Sequence, residues 1–472
     1  MRSTEWSPRR LAVALVALGT LAAGVAAVGT TVRATYGAQT TADEPQYLLT
    51  ALSLFDDGDL NIADELSGER WRDFHEAQLP EQTKPLAGGR RVSPHDPLLP
   101  MMLAVPMGLG GWVAAKLTMA VLAGVLAALT AWVAIRRFAV SPWTALGVTA
   151  LLCCSAPLAV YGTQIYPEIP AALATTAGVA ALAGPLRTRD RWVLAACVIA
   201  LPWLAIKYAS VAAALAGVAV VRLLRGGRHR QALALTAVLA LAGAAFVAAH
   251  LAVWGGLTAY ASGDHFVGGE FTAVGSSPNY AGRARRLVGL LIDREFGLAA
   301  WQPAWLVVIP ATALLIRRAP AHWPALATPL IAGWLNATFL ALTMHGYWFP
   351  GRQIVVVLPL IIIGLAVAAD RSRLLLITLA GLGALGVWSY GWLAAEGLGR
   401  RITWVVDFDM TADPWYRGWS ALLPEYRTMP PGTWLRHGIW IAVLTAVVLL
   451  ALGLHGRARR GTRGRTRGGA AS

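Results

Sequence analysis

A series of long apolar runs, separated by short basic segments, constrains the fold more than any other feature of this chain. Apolar residues make up 56% of the 472 residues and charged residues only 14%, which is too apolar for a soluble chain of this length. About twelve runs approach the roughly 17–25 residues that a tilted membrane-spanning helix requires. They lie near 11–32, 112–135, 142–163, 168–186, 192–206, 209–224, 231–254, 300–316, 323–344, 353–369, 372–394 and 436–455. The sequence therefore predicts an all-α polytopic membrane protein.

The position of the basic residues predicts the orientation. A net charge of +15 would suggest nucleic-acid binding in a soluble chain, but here the arginines cluster between apolar runs, as at Arg136–Arg137 and Arg317–Arg318. This is the positive-inside pattern of membrane proteins, so we expect both termini in the cytoplasm and no nucleic-acid partner. The first run is longer than the core of a signal peptide and is interpreted as an uncleaved helix. Arginine strongly outnumbers lysine, which is typical of a G+C-rich genome, and we expect a bacterial cell membrane.

With this orientation, the chain divides into a transmembrane domain, 1–455, and a basic tail, 456–472, predicted to be disordered, cytoplasmic and in contact with membrane lipids. Three longer loops, 33–111, 255–299 and 395–435, fall on the extracytoplasmic side. The first contains nearly half of the acidic residues, and its segments "EPQYLLTALSLF" and "PLLPMMLAVPMGLGG" are predicted to be helices at the membrane interface. Chemistry, if present, is expected on this outer face.

Short motifs near the outer ends of the runs carry a resemblance to a known family. Asp43 and Glu44 follow the first run, "SPHDPLLP" places Asp96 before the second, "QIYPEIPAAL" opens another run with Glu168, and Lys207 lies at an outer turn. In this layout the chain resembles the GT-C superfamily of membrane glycosyltransferases, of the protein O-mannosyltransferase and lipid A aminoarabinose transferase type. The family pattern has Pro where this chain has Asp96, and the resemblance is weaker after residue 255.

The resemblance implies transfer of a hexosyl or pentosyl group from a polyprenyl-phosphate donor to a glycan, lipid or protein acceptor. It makes Asp43 the general base that removes the acceptor proton, with Glu44 as a supporting acid. The residues by themselves also fit a helix cap, because Pro45 occupies the first turn that would follow.

Two cations are candidates for binding the donor phosphate. Arg352 lies at the outer mouth of a run, and a guanidinium fork suits phosphate geometry. An interfacial anchor among Tyr347 and Trp348 is the alternative for Arg352. For Lys207, the alternative is a lysine that reaches from the membrane to the interface.

A second group of residues is predicted to support the reaction or to contact sugar or acceptor: Glu168, His95, Asp96 and Tyr47. Asp43, Glu168 and His95 also offer ligands for a divalent metal ion, but none has diagnostic spacing. The sequence therefore leaves a metal open and predicts no other cofactor.

Two further classes of function remain open at this level. The chain can be a transporter or flippase of a lipid-linked sugar or envelope precursor, or a non-catalytic membrane scaffold. A transporter normally carries ionisable or helix-breaking residues near the middle of several spans. The runs here are nearly uniform Ala, Leu and Val with acids at their outer ends, which favours the transferase.

Overall fold

The computed structural model describes residues 6–266 and 268–467, with side chains as far as residue 453. Throughout the described residues the chain is helical and has no β-strand, only isolated β-bridges. The α-helices, α1 to α19 in chain order, are Pro8–Ala27, Glu44–Asp56, Ala63–Ser67, Leu98–Phe138, Pro142–Cys153, Leu158–Tyr161, Glu168–Leu182, Thr188–Leu204, Ala209–Arg225, His229–Trp254, Tyr280–Arg283, Arg286–Ile292, Leu298–Trp301, Val308–Arg317, Trp323–Leu335, Leu358–Arg371, Arg373–Leu398, Pro414–Ser420 and Thr433–Arg467. Short 3-10 segments include Val28–Thr31, Arg70–Asp73, Ile206–Tyr208, Pro303–Val307 and Arg352–Val357, and a π-helix spans Asn336–Leu340.

Seven helical segments of the described chain are long and apolar enough to cross a membrane, which is consistent with a multi-pass membrane protein. They are Pro8–Thr31, Leu98–Phe138, Ile206–Arg225, His229–Ser262, Arg352–Arg371, Arg373–Leu398 and Thr433–Gly453. Three shorter apolar helices are Pro142–Cys153, Glu168–Leu182 and Pro303–Arg317. Helices thus occupy the predicted runs, while the number of about twelve spans and the position of the termini stay predictions. The predicted tail, 456–472, lies partly outside the described residues.

The first helix is an integral part of the bundle. Helix α1 packs along α4, and Gly19 and Gly124 lie where the two backbones approach closely. A Cβ on Gly124 would lie 2.4 Å from the carbonyl oxygen of Gly19, so neither helix can carry a larger residue there without moving apart. Close contact through small residues is a common way for membrane helices to associate.

The two segments predicted to be helices at the membrane interface are both helical, while their position at the interface stays a prediction. Helix α2 covers the first segment, and its residues Glu44 to Ser53 are all buried against the rest of the protein. The second segment forms the start of α4, which bends at Gly111 (φ 63°, ψ −165°), a conformation that strongly favours glycine. The bend separates residues 98–110 from the rest of α4.

The bundle is centred on the segment that follows residue 351. Within Arg352–Arg371, 89% of the most apolar window is buried, whereas none of the corresponding window of α19 is. The 3-10 turn Arg352–Val357 lies against α7, which begins at Glu168. This contact brings Glu168 and Arg352, which are far apart in the sequence, to the same end of the bundle.

Candidate functional site

Four of the predicted site residues form one cluster of alternating charge. Arg352 donates from Nη2 to Asp43 Oδ2 at 2.5 Å and from Nε to Glu168 Oε1 at 3.1 Å. Lys207 Nζ donates to the same Glu168 oxygen at 2.7 Å. Glu168 is fully buried and Arg352 nearly so, whereas Asp43 and Lys207 keep 25% and 22% of their side chains exposed. The Glu168 and Arg352 side of the cluster is therefore buried in the protein, while the Asp43 and Lys207 side is partly exposed.

Asp43 does not act as a helix cap. It occupies the N-cap position of α2, but its side chain accepts no hydrogen bond from the helix and instead faces Arg352 and His95. Burial favours the neutral acid, but the charge of Arg352 and the hydrogen bond from it outweigh burial and hold the pKa of Asp43 well below its usual range. The carboxyl is thus ionised in the structure, as a proton acceptor must be.

Local backbone geometry explains the position of Arg352. Gly351 precedes it with φ 89°, and a Cβ there would lie 3.0 Å from Pro157, so glycine is required for this turn. The guanidinium then stacks 3.9 Å from the ring centroid of Tyr166, whose hydroxyl donates to the carbonyl of Thr41. Arg352 is 7% exposed, so it is a buried partner of two carboxylates and not an interfacial anchor.

Lys207 is positioned by the break between α8 and α9. Ala205 is extended (φ −167°, ψ 133°), and the next residue donates its backbone N–H to Asp96 Oδ2 at 3.0 Å. The other Asp96 oxygen contacts Nε2 of the buried His250 at 3.0 Å, while the carbonyl of Lys207 accepts from Asn336. Asp96 thus supports Lys207 through the backbone and does not face the cluster itself.

Glu44 has a positioning role in this geometry. Its carboxylate accepts the backbone N–H of Thr41 at 2.9 Å and that of Ile165 at 2.7 Å, and the residue is buried. Burial raises the pKa of Glu44, although the two backbone donors and Lys116 oppose this effect. Glu44 therefore joins the segment before α2 to the segment before α7, and so holds Asp43 opposite Glu168.

His95 and Tyr47 form the edge of the cluster. Their rings stack with centroids 4.8 Å apart, and His95 Nε2 lies 3.9 Å from Asp43 Oδ1. Burial lowers the pKa of His95, despite the opposing effect of Asp43, so the ring is mainly neutral near pH 7. The same Nε2 lies 3.4 Å from Oε1 of Gln82. The side-chain Nε2 of Gln82 donates to the carbonyl of Ala42.

Sequence reasoning missed Gln82 as a contact of His95 and Tyr166 as the platform under Arg352. Tyr166 could have been found from its place two residues before Glu168. Gln82 carries no local signal, because the contact depends on how the loop folds back.

A divalent metal fits poorly at the ligands that the sequence suggested. The guanidinium of Arg352 lies between Asp43 and Glu168 and pairs with both, and Lys207 supplies the second positive charge. Within the described part of the chain, the one group of three acidic, His or Cys ligands close enough to share an ion lies elsewhere in the first loop.

An apolar groove of about 610 Å³ opens between α1, α5 and α17. It is lined by Leu21, Val25, Val28, Ala150, Leu151, Cys154, Val387, Tyr390, Gly391, Ala394, Ala395 and Leu398. The lining is almost entirely aliphatic, so the groove suits a hydrocarbon chain.

No protein-family model matches this chain, and neither a curated protein nor a solved structure matches it significantly.

Proposed function

We propose that the protein is a glycosyltransferase that moves a sugar from a polyprenyl-phosphate donor to an acceptor hydroxyl at the outer face of the membrane. The observation that supports this most is the convergence of Asp43, Glu168, Lys207 and Arg352, because it combines a proton acceptor with two phosphate-binding cations. Such a combination serves a displacement in which an acceptor loses a proton while a phosphate departs.

The proposed reaction needs one bond to form and one to break at the anomeric carbon. The acceptor oxygen attacks this carbon as its proton passes to the Asp43 carboxylate. The bond from the carbon to the phosphate oxygen breaks, and its electron pair stays on the phosphate. Arg352 and Lys207 stabilise the charge that develops on that oxygen, while Glu168 holds both cations in place.

In the resting cluster Asp43 is a weak base, because Arg352 lowers its pKa. A donor phosphate would compete with Asp43 for the guanidinium, which presents a planar fork suited to phosphate. Once Arg352 turns to the phosphate, Asp43 loses its main stabilising partner and gains a negative neighbour. Both changes raise its proton affinity, so the base would be activated only when a donor is bound.

The apolar groove between α1, α5 and α17 would hold the prenyl chain of the donor. Its lining residues come from the halves of α1 and α17 nearest the ends that lead into the outer loops of the predicted topology. A lipid chain in this groove would lie at the depth of the outer leaflet, with its phosphate toward the loops.

The test is mass spectrometry of envelope glycans and lipid-linked sugars in a deletion strain complemented with wild type or Asp43→Asn. Asparagine keeps the shape and can still accept from Arg352, so protein level and membrane insertion should be normal. We expect a lost glycan, an accumulated lipid-linked precursor and no rescue by Asp43→Asn. Removal of a general base typically costs about 10²–10⁴-fold in rate.

The matched control is Asp73→Asn, which removes an exposed acid from the same loop and should rescue fully. Full rescue by Asp43→Asn would refute the assignment of the base. A deletion strain in which neither a glycan nor a lipid-linked sugar changes would refute the transferase.

A further inference from the structure

A second group of acids lies at the opposite end of α2 from Asp43. Asp57, Asp64 and Glu65 each present a carboxylate oxygen, and these oxygens all lie within 4.8 Å of one another. Helix α2 has 13 residues, so at 1.5 Å per residue its two ends are about 20 Å apart. The group is therefore separate from the ion-pair cluster at Glu168.

Glu65 is the unusual member of this group. Asp57 and Asp64 are exposed, but Glu65 is only 2% exposed, and its Oε2 is buried with no hydrogen-bond partner among the described residues. A buried carboxylate normally has a cation or several donors as partners, because burial of an unpaired charge is costly. The described ion pairs include none made by Asp57, Asp64 or Glu65; the nearest arginine in the sequence, Arg70, pairs with Asp56.

Burial raises the pKa of Glu65 to about 7, and the nearby Asp64 and Asp57 carboxyls add to the shift. Without a counterion, the two exposed carboxyls thus oppose the ionisation of Glu65. A cation between them would remove the repulsion and give the buried Glu65 carboxylate a charged partner.

We propose that Asp57, Asp64 and Glu65 form a calcium site in the first outer loop. All three ligands are hard oxygens, and the group contains neither the imidazole nor the thiolate that zinc and copper prefer. The exposed side leaves room for water to complete the 6–8 oxygen ligands of Ca²⁺, whereas Mg²⁺ requires a strict octahedron. The ion would fix the end of α2 to the start of α3.

The test measures binding of Ca²⁺ alone to the full-length protein, purified in neutral detergent and stripped of metal with a chelator. We expect a dissociation constant of about 10⁻⁴–10⁻³ M by calorimetry, as in extracellular calcium modules. At 5 mM Ca²⁺ the melting temperature should rise by about 2 °C or more, and Mg²⁺ should have a smaller effect.

The deciding variant is Asp57→Asn/Asp64→Asn, which removes two exposed ligands and leaves the buried residue in place. Its affinity for Ca²⁺ should be at least about tenfold lower, because ligand charge sets affinity in such sites. Asp73→Asn, an exposed acid outside the group, should respond as wild type does. If the double variant does not fold, Glu65→Gln serves instead, since it keeps the volume of the buried side chain.

No response in wild type, equal responses to Ca²⁺ and Mg²⁺, or a calcium response that survives in the variants would overturn the site. The experiment measures no sugar transfer, so its failure would leave the proposed function untouched, and the reverse also holds.

Discussion

Substitution of Glu168 by Gln tests whether the buried cluster is held together by charge. Glutamine keeps an oxygen that can accept from Lys207 and Arg352, so the shape is preserved while the net charge of the four residues changes from 0 to +1. Loss of one partner from a buried ion pair costs roughly 3–5 kcal/mol. Here Asp43 still neutralises Arg352 and Lys207 is partly exposed, so we expect the free energy of unfolding to fall by about 2–3 kcal/mol.

A second substitution tests whether the loss in the free energy of unfolding is caused by charge. Lys207→Met in the Glu168→Gln background restores neutrality, and the double variant should be more stable than the two single effects predict. The coupling energy from the double-mutant cycle of Glu168→Gln and Lys207→Met should be about 1–3 kcal/mol. The assay is denaturant unfolding in detergent, followed by tryptophan fluorescence.

Glu396→Gln provides the matched control. Glu396 is also buried, but it accepts from Thr411 and the backbone N–H of Ala412 and makes no ion pair among the described residues. Its substitution should cost about 1–2 kcal/mol and show no coupling to Lys207→Met. A coupling below about 0.5 kcal/mol between Glu168 and Lys207 would refute the argument that charge balance holds the cluster.

Three further results are expected. Arg352→Lys keeps the charge but loses the planar guanidinium fork. Transfer assays should therefore show a higher KM for the donor and a kcat lower by about 10²-fold. An unchanged dependence on donor concentration would mean that Arg352 is only structural. Gly391→Leu fills the apolar groove and should lower transfer from long-chain donors but not from short-chain donors. Gly381→Leu, on the same helix and outside the groove, should lower transfer from neither. Equal effects of the two variants would exclude the groove as the lipid site. Because burial raises the pKa of Glu65 to about 7, the folded protein binds its proton more tightly than the unfolded chain does. The stability gained from this proton is complete below about pH 4.5 and is lost as pH rises through about 7. In calcium-free buffer, melting temperatures should therefore fall across this window in wild type and less in Glu65→Gln, and parallel curves would contradict the shift.

The sequence by itself determined the helical class and the candidates. Apolar runs of spanning length have no other stable structure in a membrane, because backbone groups there must be satisfied within each segment. The same runs made acids and cations at their ends conspicuous. Arg352 was selected by its position at the end of a run, and the family resemblance indicated Asp43, Glu168 and Lys207.

Only the tertiary structure decided which candidates meet and what each one touches. Glu44 and Asp96 were predicted to support Asp43 in the reaction, but their oxygens accept hydrogen bonds from backbone N–H groups and, for Asp96, also contact His250. Arg352 is 309 residues from Asp43, and no local pattern specifies a contact at that distance. Packing of α7 against the turn that follows Gly351 specifies it, because that turn directs the guanidinium inward to the two carboxylates. The sequence thus identified the candidate charged residues, and the packing of the helices determined which of them contact one another.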